Sequence, residues 1–124
     1  LHFIIVYIAA IFWTLGYDTI YGLQDIVDDE IIGVKSTTIK FKSNLKLFVS
    51  MCYLIFFVIF IIYGITFELK KTFYIFSLFP ISHLIFQISK INTKNNYQNF
   101  LIFKSNNFFG FLIFINLLMS NFKI

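Results

Sequence analysis

The stretch Leu47–Ile65, LFVSMCYLIFFVIFIIYGI, contains no charged residue. Its length approaches the ~20 apolar residues that an α-helix needs to cross the hydrocarbon core of a bilayer. Three further apolar stretches of comparable length lie at residues 1–17, 72–89 and 106–122. The sequence therefore predicts an all-α, multi-pass transmembrane helical bundle with about four transmembrane helices.

The composition agrees with a protein of the lipid bilayer. Hydrophobic residues make up 59% of the chain and charged residues only 13%, proportions unlike those of a soluble globular domain. The net charge of +4 comes from ten Lys and no Arg, scattered over the connections rather than gathered along one face. Nucleic acid is therefore not an expected partner. Cys52 is the only cysteine and is expected to pack inside the second span.

The lysines also predict how the chain is oriented. The connections at 18–46 and 90–104 fall on the same side of the membrane and together carry seven Lys, whereas the other side carries three. Because cytoplasmic loops are enriched in Lys and Arg, the loop 18–46 is expected to face the cytoplasm. An integral protein of the bacterial inner membrane is the location that this pattern favours.

Acidic residues are concentrated at the end of the first span. Five of the six lie in one short segment: Asp18, Asp25, Asp28, Asp29 and Glu30. If the first span continued as one helix to a stop at Gly33, then Asp18, Asp25 and Asp29 would fall within roughly 20° of one line, with Asp28 and Tyr21 on its flank. Carboxylates stacked in this way repel one another unless a cation lies among them.

Such a cation is expected to be Mg²⁺. The segment offers only oxygen ligands, and Mg²⁺ prefers one or two carboxylates together with phosphate oxygens and water. Lys35 follows a few residues later. A metal site at the membrane surface with a nearby Lys suits a diphosphate whose tail lies in lipid, because both stabilise negative charge on a leaving diphosphate. The aspartates are thus predicted to be metal ligands, and no residue is predicted to act as an acid or base.

A more specific signal lies in the order of the residues. The run from Trp13 to Glu30, WTLGYDTIYGLQDIVDDE, is followed at Gly33 by GVKST. Together they resemble the second aspartate-rich motif of the UbiA superfamily of intramembrane aromatic prenyltransferases. The Tyr-Asp-Thr lead and the Gly-Val-Lys-Ser tail are most similar to the branch that prenylates 4-hydroxybenzoate, the ring precursor of ubiquinone.

This resemblance implies a fold and a set of roles. The four spans would form the C-terminal part of a larger nine-helix fold. Asp25 and Asp29 would bind Mg²⁺ bridged to a polyprenyl diphosphate, with Asp18 and Asp28 in support and Lys35 near the phosphates. The aromatic ring of the acceptor, 4-hydroxybenzoate, would attack the allylic carbon ortho to its phenol oxygen.

The chain departs from the pattern of that superfamily in several places. Ile26 and Val27 stand where a basic and an acidic residue are common, Gly22 where Ala is common, and Lys42 where Gly is common. The other aspartate-rich motif, Asn-Asp-x-x-Asp, does not occur in these residues. The chain is therefore expected to be the C-terminal part of a longer protein, to need the N-terminal half as a partner, and to be inactive alone.

Other interpretations stay open at this stage. Tyr17 and Tyr21 are candidates for the substrate pocket or for anchors at the membrane interface. His83, three residues after Pro80, is expected to be a packed or kink-associated polar group. The chain could also be another UbiA-type prenyltransferase, a segment of a cation channel or transporter, or a membrane-anchored protein whose acidic loop docks a basic partner.

Overall fold

The computed structural model describes residues 2–120, apart from the side chain of His2. These residues fold into eight α-helices and one 3-10 turn, and they contain no strand. The helices are α1 (His2–Tyr21), α2 (Ile26–Ile32), α3 (Thr37–Lys40), α4 (Leu45–Thr66), α5 (Lys71–Phe76), α6 (Leu78–Lys90), α7 (Asn96–Lys104) and α8 (Asn106–Met119), with the 3-10 turn at Lys42–Asn44.

Four helical segments of the described chain are long and apolar enough to cross a membrane by their length and composition. They are Phe3–Tyr21, Lys42–Thr66, Lys71–Lys90 and Asn96–Met119. The predicted all-α, multi-pass bundle with four spans is confirmed, and the protein is an integral membrane protein. Residues 121–122, which the prediction placed in the last span, lie outside the described part.

The last span begins earlier than predicted. Residues 96–104, expected to be part of a polar connection, form α7. The Asn95 side chain caps this helix by accepting a hydrogen bond from the backbone N–H of Gln98 at 3.0 Å, the usual role of Asn before a first turn. Lys104, which the prediction counted with the loop lysines, therefore lies inside the fourth span.

The first two spans form the main interface of the bundle. Buried side chains recur along α4 at every third or fourth position, for instance Val49, Tyr53, Phe56 and Phe60, and this spacing produces one apolar stripe on a helix. Gly16 on α1 allows the close approach, because a Cβ atom there would collide with the Tyr53 ring. The stripe of α4 thus packs directly on α1.

The third and fourth spans are each interrupted once. Ser77 separates α5 from α6, and Pro80 follows in the first turn of α6, where its missing N–H is tolerated. Ser105 separates α7 from α8, and its backbone N–H bonds to the carbonyls of both Leu101 and Ile102. Asn116 donates to Ser77 Oγ at 2.8 Å, so the two interrupted spans are joined inside the bundle.

Two predictions about single residues in the spans are confirmed. Cys52 is buried in the core with 3% of its surface exposed. His83 is half-buried and packs against the rings of Phe108 and Phe109, at centroid distances of 5.5 and 6.0 Å. Both residues pack against the bundle, as the sequence predicted.

The prediction of one helix from the first span to Glu30 is wrong. α1 ends at Tyr21, and a turn over residues 22–25 precedes α2. The backbone N–H groups of Leu23 and Gln24 bond three residues back, to Ile20 and Tyr21, which tightens the last turn of α1. Gly22 has weak helix propensity, and the burial of Leu23, at 2% exposure, directs the chain back toward the bundle.

Candidate functional site

The acidic residues divide between two helices. Asp18 is exposed on the last turns of α1, whereas Asp25 is the N-cap of α2 and Asp28 and Asp29 lie in its first turn. The stripe of stacked carboxylates predicted from a continuous helix is therefore not formed. In its place Asp25, Asp28 and Asp29 lie at the N-cap and in the first turn of α2, and the turn that begins at Gly22 separates them from Asp18.

Asp25 and Asp29, the two predicted metal ligands, lie one helical turn apart. The backbone N–H of Asp29 donates to the carbonyl of Asp25 at 2.9 Å, so the two residues lie one turn apart on the same side, where side chains are neighbours. The Asp25 side chain makes no capping hydrogen bond. In the described chain neither carboxylate forms an ion pair, so both keep their oxygens available to a ligand.

The end of α2 connects these acids to Lys35. Gly33 adopts a left-handed conformation with φ 82°, and the N–H groups of Gly33 and Val34 both bond to the carbonyl of Asp29, at 3.0 and 2.9 Å. A glycine in this conformation is a common helix stop, and the predicted end of the helix at Gly33 is confirmed. The exposed Lys35 follows immediately and borders a surface cavity of about 430 Å³.

A set of threonines fixes this loop to α1. The buried Thr38 donates its hydroxyl to the carbonyl of Thr19 at 3.0 Å. Thr19 Oγ1 donates to the carbonyl of Leu15 and lies 2.8 Å from Thr37 Oγ1, so Thr37 is the donor of that second bond. Gly22 completes the contact, since a Cβ atom there would collide with Thr38 Oγ1. The backbone around Lys35 is thereby held against the end of the first span.

A salt bridge closes the same loop on its outer side. Lys42 Nζ lies 2.8 Å from Glu30 Oε1 and 2.9 Å from Oε2, with both side chains partly exposed. An exposed ion pair of this kind contributes little to stability, roughly 0–1 kcal/mol. The salt bridge gives Lys42, which stands where the superfamily commonly has Gly, a structural role. It connects α2 to the start of the second span.

The predicted pocket residues Tyr17 and Tyr21 lie one turn apart on α1 and both face α7. Their rings contact Phe103, with centroid distances of 5.8 and 4.6 Å. Tyr17 also packs edge-on against Trp13 at 5.2 Å. The rings of Tyr17, Tyr21 and Phe103 form an aromatic wall at the end of α1 that carries Asp18.

The described residues contain no group of three or more His, Cys, Asp or Glu side chains placed to hold one metal ion. Asp25 and Asp29, one helical turn apart, are the candidate ligands that the sequence pattern and the start of α2 have in common. Mg²⁺ usually takes one or two carboxylates from a protein when phosphate oxygens and water complete its shell. The donor set therefore fits Mg²⁺ in combination with a diphosphate, and it does not form a cage built of protein ligands alone.

Sequence reasoning missed a polar network inside the bundle. Tyr53 donates to Gln87 Oε1 at 2.7 Å, and Gln87 Nε2 donates to Asn106 Oδ1 at 3.1 Å. The same Asn106 oxygen accepts a hydrogen bond from Trp13 Nε1 at 2.9 Å. The signal that could have revealed it is the presence of Gln87 and Asn106 within otherwise apolar spans, since polar side chains there seek partners from other helices.

Comparison with known proteins assigns the chain to a family. Residues 1–118 match the UbiA prenyltransferase family. The chain is 33% identical over 114 residues to 4-hydroxybenzoate geranyltransferase 1 of Lithospermum erythrorhizon, with 92% of the chain and 37% of that protein aligned. It is also 33% identical over 116 residues to 4-hydroxybenzoate octaprenyltransferase of Psychromonas ingrahamii, covering 94% of the chain and 40% of the relative.

The mitochondrial 4-hydroxybenzoate polyprenyltransferase of Aedes aegypti is 33% identical over 114 residues, which are 92% of the chain and 26% of that protein. The chain thus spans less than half the length of these relatives. No solved structure matches it.

Proposed function

Since the chain belongs to the UbiA prenyltransferase family, we propose that it supplies the second aspartate motif of an enzyme that prenylates 4-hydroxybenzoate. The reaction transfers a polyprenyl group from a polyprenyl diphosphate to the aromatic ring, with Mg²⁺ as cofactor, in ubiquinone biosynthesis. The observation that carries this proposal is the pairing of Asp25 and Asp29 at the start of α2, beside a loop that positions Lys35.

The residues of the chain have distinct parts in this reaction. Asp25 and Asp29 would hold Mg²⁺ against the diphosphate, with Asp28 and Asp18 adding negative charge nearby. The metal, when bound, neutralises charge that develops on the diphosphate as the allylic C–O bond breaks. Lys35 adds a positive charge next to the same group.

The acceptor completes the transfer. A C–C bond forms between the allylic carbon and the ring carbon ortho to the phenol oxygen, and the ring proton at that carbon is lost. The aromatic wall of Tyr17, Tyr21 and Phe103 borders the acidic end of α1 and would shield the reacting carbon from water. This arrangement supports a reaction at the boundary between lipid and the acidic loop.

The proposal includes an N-terminal half that carries the Asn-Asp-x-x-Asp motif. The described chain offers two neighbouring carboxylates and one nearby Lys, and the family uses two aspartate motifs. We therefore propose that the chain alone transfers no prenyl group. The location proposed for the assembled enzyme is the bacterial inner membrane, with residues 18–46 in the cytoplasm.

The function can be tested by joining the chain to the N-terminal part of the 4-hydroxybenzoate octaprenyltransferase of Psychromonas ingrahamii. Membranes containing this chimera should convert 4-hydroxybenzoate and geranyl diphosphate to a prenylated product when Mg²⁺ is present, and EDTA should stop the conversion. The matched control is the relative with its own C-terminal part, cut and rejoined at the same position.

If the rejoined relative is active while the chimera makes no product, the proposed function is wrong. Product formed by the 124-residue chain without any N-terminal half would instead refute the need for that partner.

A further inference from the structure

A cleft with an unusual lining lies between α1 and the junction of α7 and α8. Its volume is about 320 Å³, and its lining includes Trp13, Tyr17, Phe103, Lys104, Asn106 and Asn107. The cleft lies on the side of α1 that carries Tyr17, the residue directly before Asp18. It is therefore adjacent to the acidic end of the first span without being part of the aspartate site.

Hydrogen bonds from neighbouring helices fix the Trp13 ring that lines the cleft. Trp13 Nε1 donates to Asn106 Oδ1 at 2.9 Å, and that oxygen also accepts from Gln87 at 3.1 Å. Gln87 is completely buried and accepts from Tyr53 OH at 2.7 Å. Because these groups satisfy one another, the indole ring has a fixed orientation. Because the indole ring is already ordered, the protein loses less side-chain entropy when a ligand packs on it.

Among the described residues that line the cleft, one side chain is charged, and its charge is positive. Lys104 is an exposed residue inside a candidate span, where ionisable side chains are rare and usually paired or functional. Its Nζ lies 5.0 Å from the centre of the Phe100 ring, and it forms no ion pair within residues 2–120. The lining residues that the structure describes include no Asp or Glu. The site thus selects for an anion.

Size and shape restrict that anion further. A volume of about 320 Å³ is at the lower end of small-molecule sites, enough to hold one aromatic ring and too small to enclose a polyprenyl chain. The rings of Trp13 and Tyr17 offer aromatic surface to a planar ligand. A free diphosphate would find a single cation here and no metal-binding carboxylate, which makes an aromatic carboxylate the better match.

We propose that this cleft binds the aromatic acceptor as an aryl carboxylate, with Lys104 pairing with the carboxylate and Trp13 and Tyr17 packing on the ring. The amide of Asn106 is already occupied, because its Nδ2 donates to the carbonyls of Ile102 and Phe103. Asn107 is exposed and is the amide that remains for the phenol hydroxyl. This inference rests on the proposed function and names the residues that recognise its acceptor.

The test uses Trp13, which is the only tryptophan in the 124 residues. The chain is labelled with 5-fluorotryptophan, placed in phosphatidylcholine nanodiscs and titrated with 4-hydroxybenzoate while the ¹⁹F resonance is followed by NMR. We expect a saturable shift. Phenol, which lacks the carboxylate, should bind at least roughly tenfold more weakly, the scale of one lost charge-assisted hydrogen bond.

Variants locate the binding to the cleft. Lys104→Met should weaken binding of 4-hydroxybenzoate by roughly tenfold or more, whereas Lys104→Arg should keep most of it. Lys94→Met, which removes an exposed charge outside the cleft, should bind like the wild type. The ¹⁹F shift of each ligand-free variant reports whether the surroundings of Trp13 are unchanged. If Lys104→Met alters this shift, Lys104→Gln is used in its place.

The inference is overturned if the wild-type chain gives no saturable shift, if phenol binds as well as 4-hydroxybenzoate, or if pyrophosphate displaces the ligand at equal concentration. The assay needs neither prenyl donor nor Mg²⁺. An active chimera without binding in this cleft would reject the cleft alone, and binding with an inactive chimera would reject the proposed function alone.

Discussion

Asp25 and Asp29 differ from Asp28 in their position on α2, although all three are close in sequence. The first two lie one turn apart, joined by the hydrogen bond from the Asp29 N–H to the Asp25 carbonyl at 2.9 Å. At ~100° per residue, Asp28 is rotated by ~100° from Asp29 and by ~60° from Asp25, so it lies to one side of the line that joins them. The three carboxylates should therefore contribute unequally to a site that uses one face.

We predict that Asp25→Asn or Asp29→Asn in the complete enzyme lowers turnover by at least roughly 10–100-fold, the range found when even the outer partners of metal sites are removed. Asp28→Asn should have a much smaller effect. The measurement is prenyl transfer at saturating Mg²⁺. Equal activities in the three variants would contradict the assigned roles, and normal membrane insertion of each variant is the control.

The close contact between Gly22 and Thr38 requires that position 22 has no side chain. A Cβ atom at position 22 would collide with Thr38 Oγ1, while that hydroxyl bonds to the Thr19 carbonyl at 3.0 Å. We predict that Gly22→Ala displaces α3 and loosens the loop around Lys35, measured as faster amide hydrogen exchange over residues 35–40.

The double variant Gly22→Ala, Thr38→Ala supplies the control for that collision. It removes the clash and also the hydrogen bond to Thr19, so its effect should be smaller than the sum of the two single effects. Additive effects would show that Gly22 and Thr38 are not in contact.

At the scale of elements, the turn at 22–25 and the stop at Gly33 define α2. The helix has no buried residue, so packing does little to hold it, and its ends matter more than they would in a core helix. Short helices that lack tertiary packing have only marginal stability in water. The position of Asp25 and Asp29 thus depends on how α2 begins and ends.

We expect Gly33→Ala to destabilise α2 by roughly 1–2 kcal/mol, the cost of a side chain in the left-handed conformation. Nothing lies within 4 Å of a Cβ atom at this position, so the effect arises from the backbone alone. Hydrogen exchange over residues 26–34 measures it. Gly110→Ala is the matched control, because the nearest atom to its Cβ is Trp13 Cη2 at 3.9 Å, an ordinary contact.

For the whole molecule, the order of helices places two connections at the same end of the bundle. The amide nitrogen of Asn96 lies 3.5 Å from the carbonyl of Gln24, which brings the turn at 91–95 beside the acidic segment. Of the lysines in residues 2–120, six lie at that end, Lys35, Lys40, Lys42, Lys46, Lys90 and Lys94, and two lie at the opposite end, Lys70 and Lys71. This excess of lysines still favours a cytoplasmic location for the acidic loop, although Lys104 lies in a span and is not counted.

Labelling with a membrane-impermeant maleimide tests this orientation in intact bacterial cells whose outer membrane has been permeabilised. Glu68→Cys should react at once, whereas Ser43→Cys should react only after the inner membrane is opened. Cys52 is buried and gives a low background. The reverse order of labelling would place the acidic loop outside and rule out a cytoplasmic diphosphate site.

The class of fold, the number of spans and the stop at Gly33 follow from the amino-acid sequence, because apolar length and glycine conformation act locally. The choice of candidate carboxylates follows from the sequence as well. The separation of Asp18 from Asp25 and Asp29 depends instead on tertiary contacts, since the packing of Leu23 and the contact between Gly22 and Thr38 join segments distant in sequence. The network through Gln87 depends on the meeting of four spans, and the position of Lys104 in the cleft depends on the contact between the first and fourth spans. No local pattern specifies either.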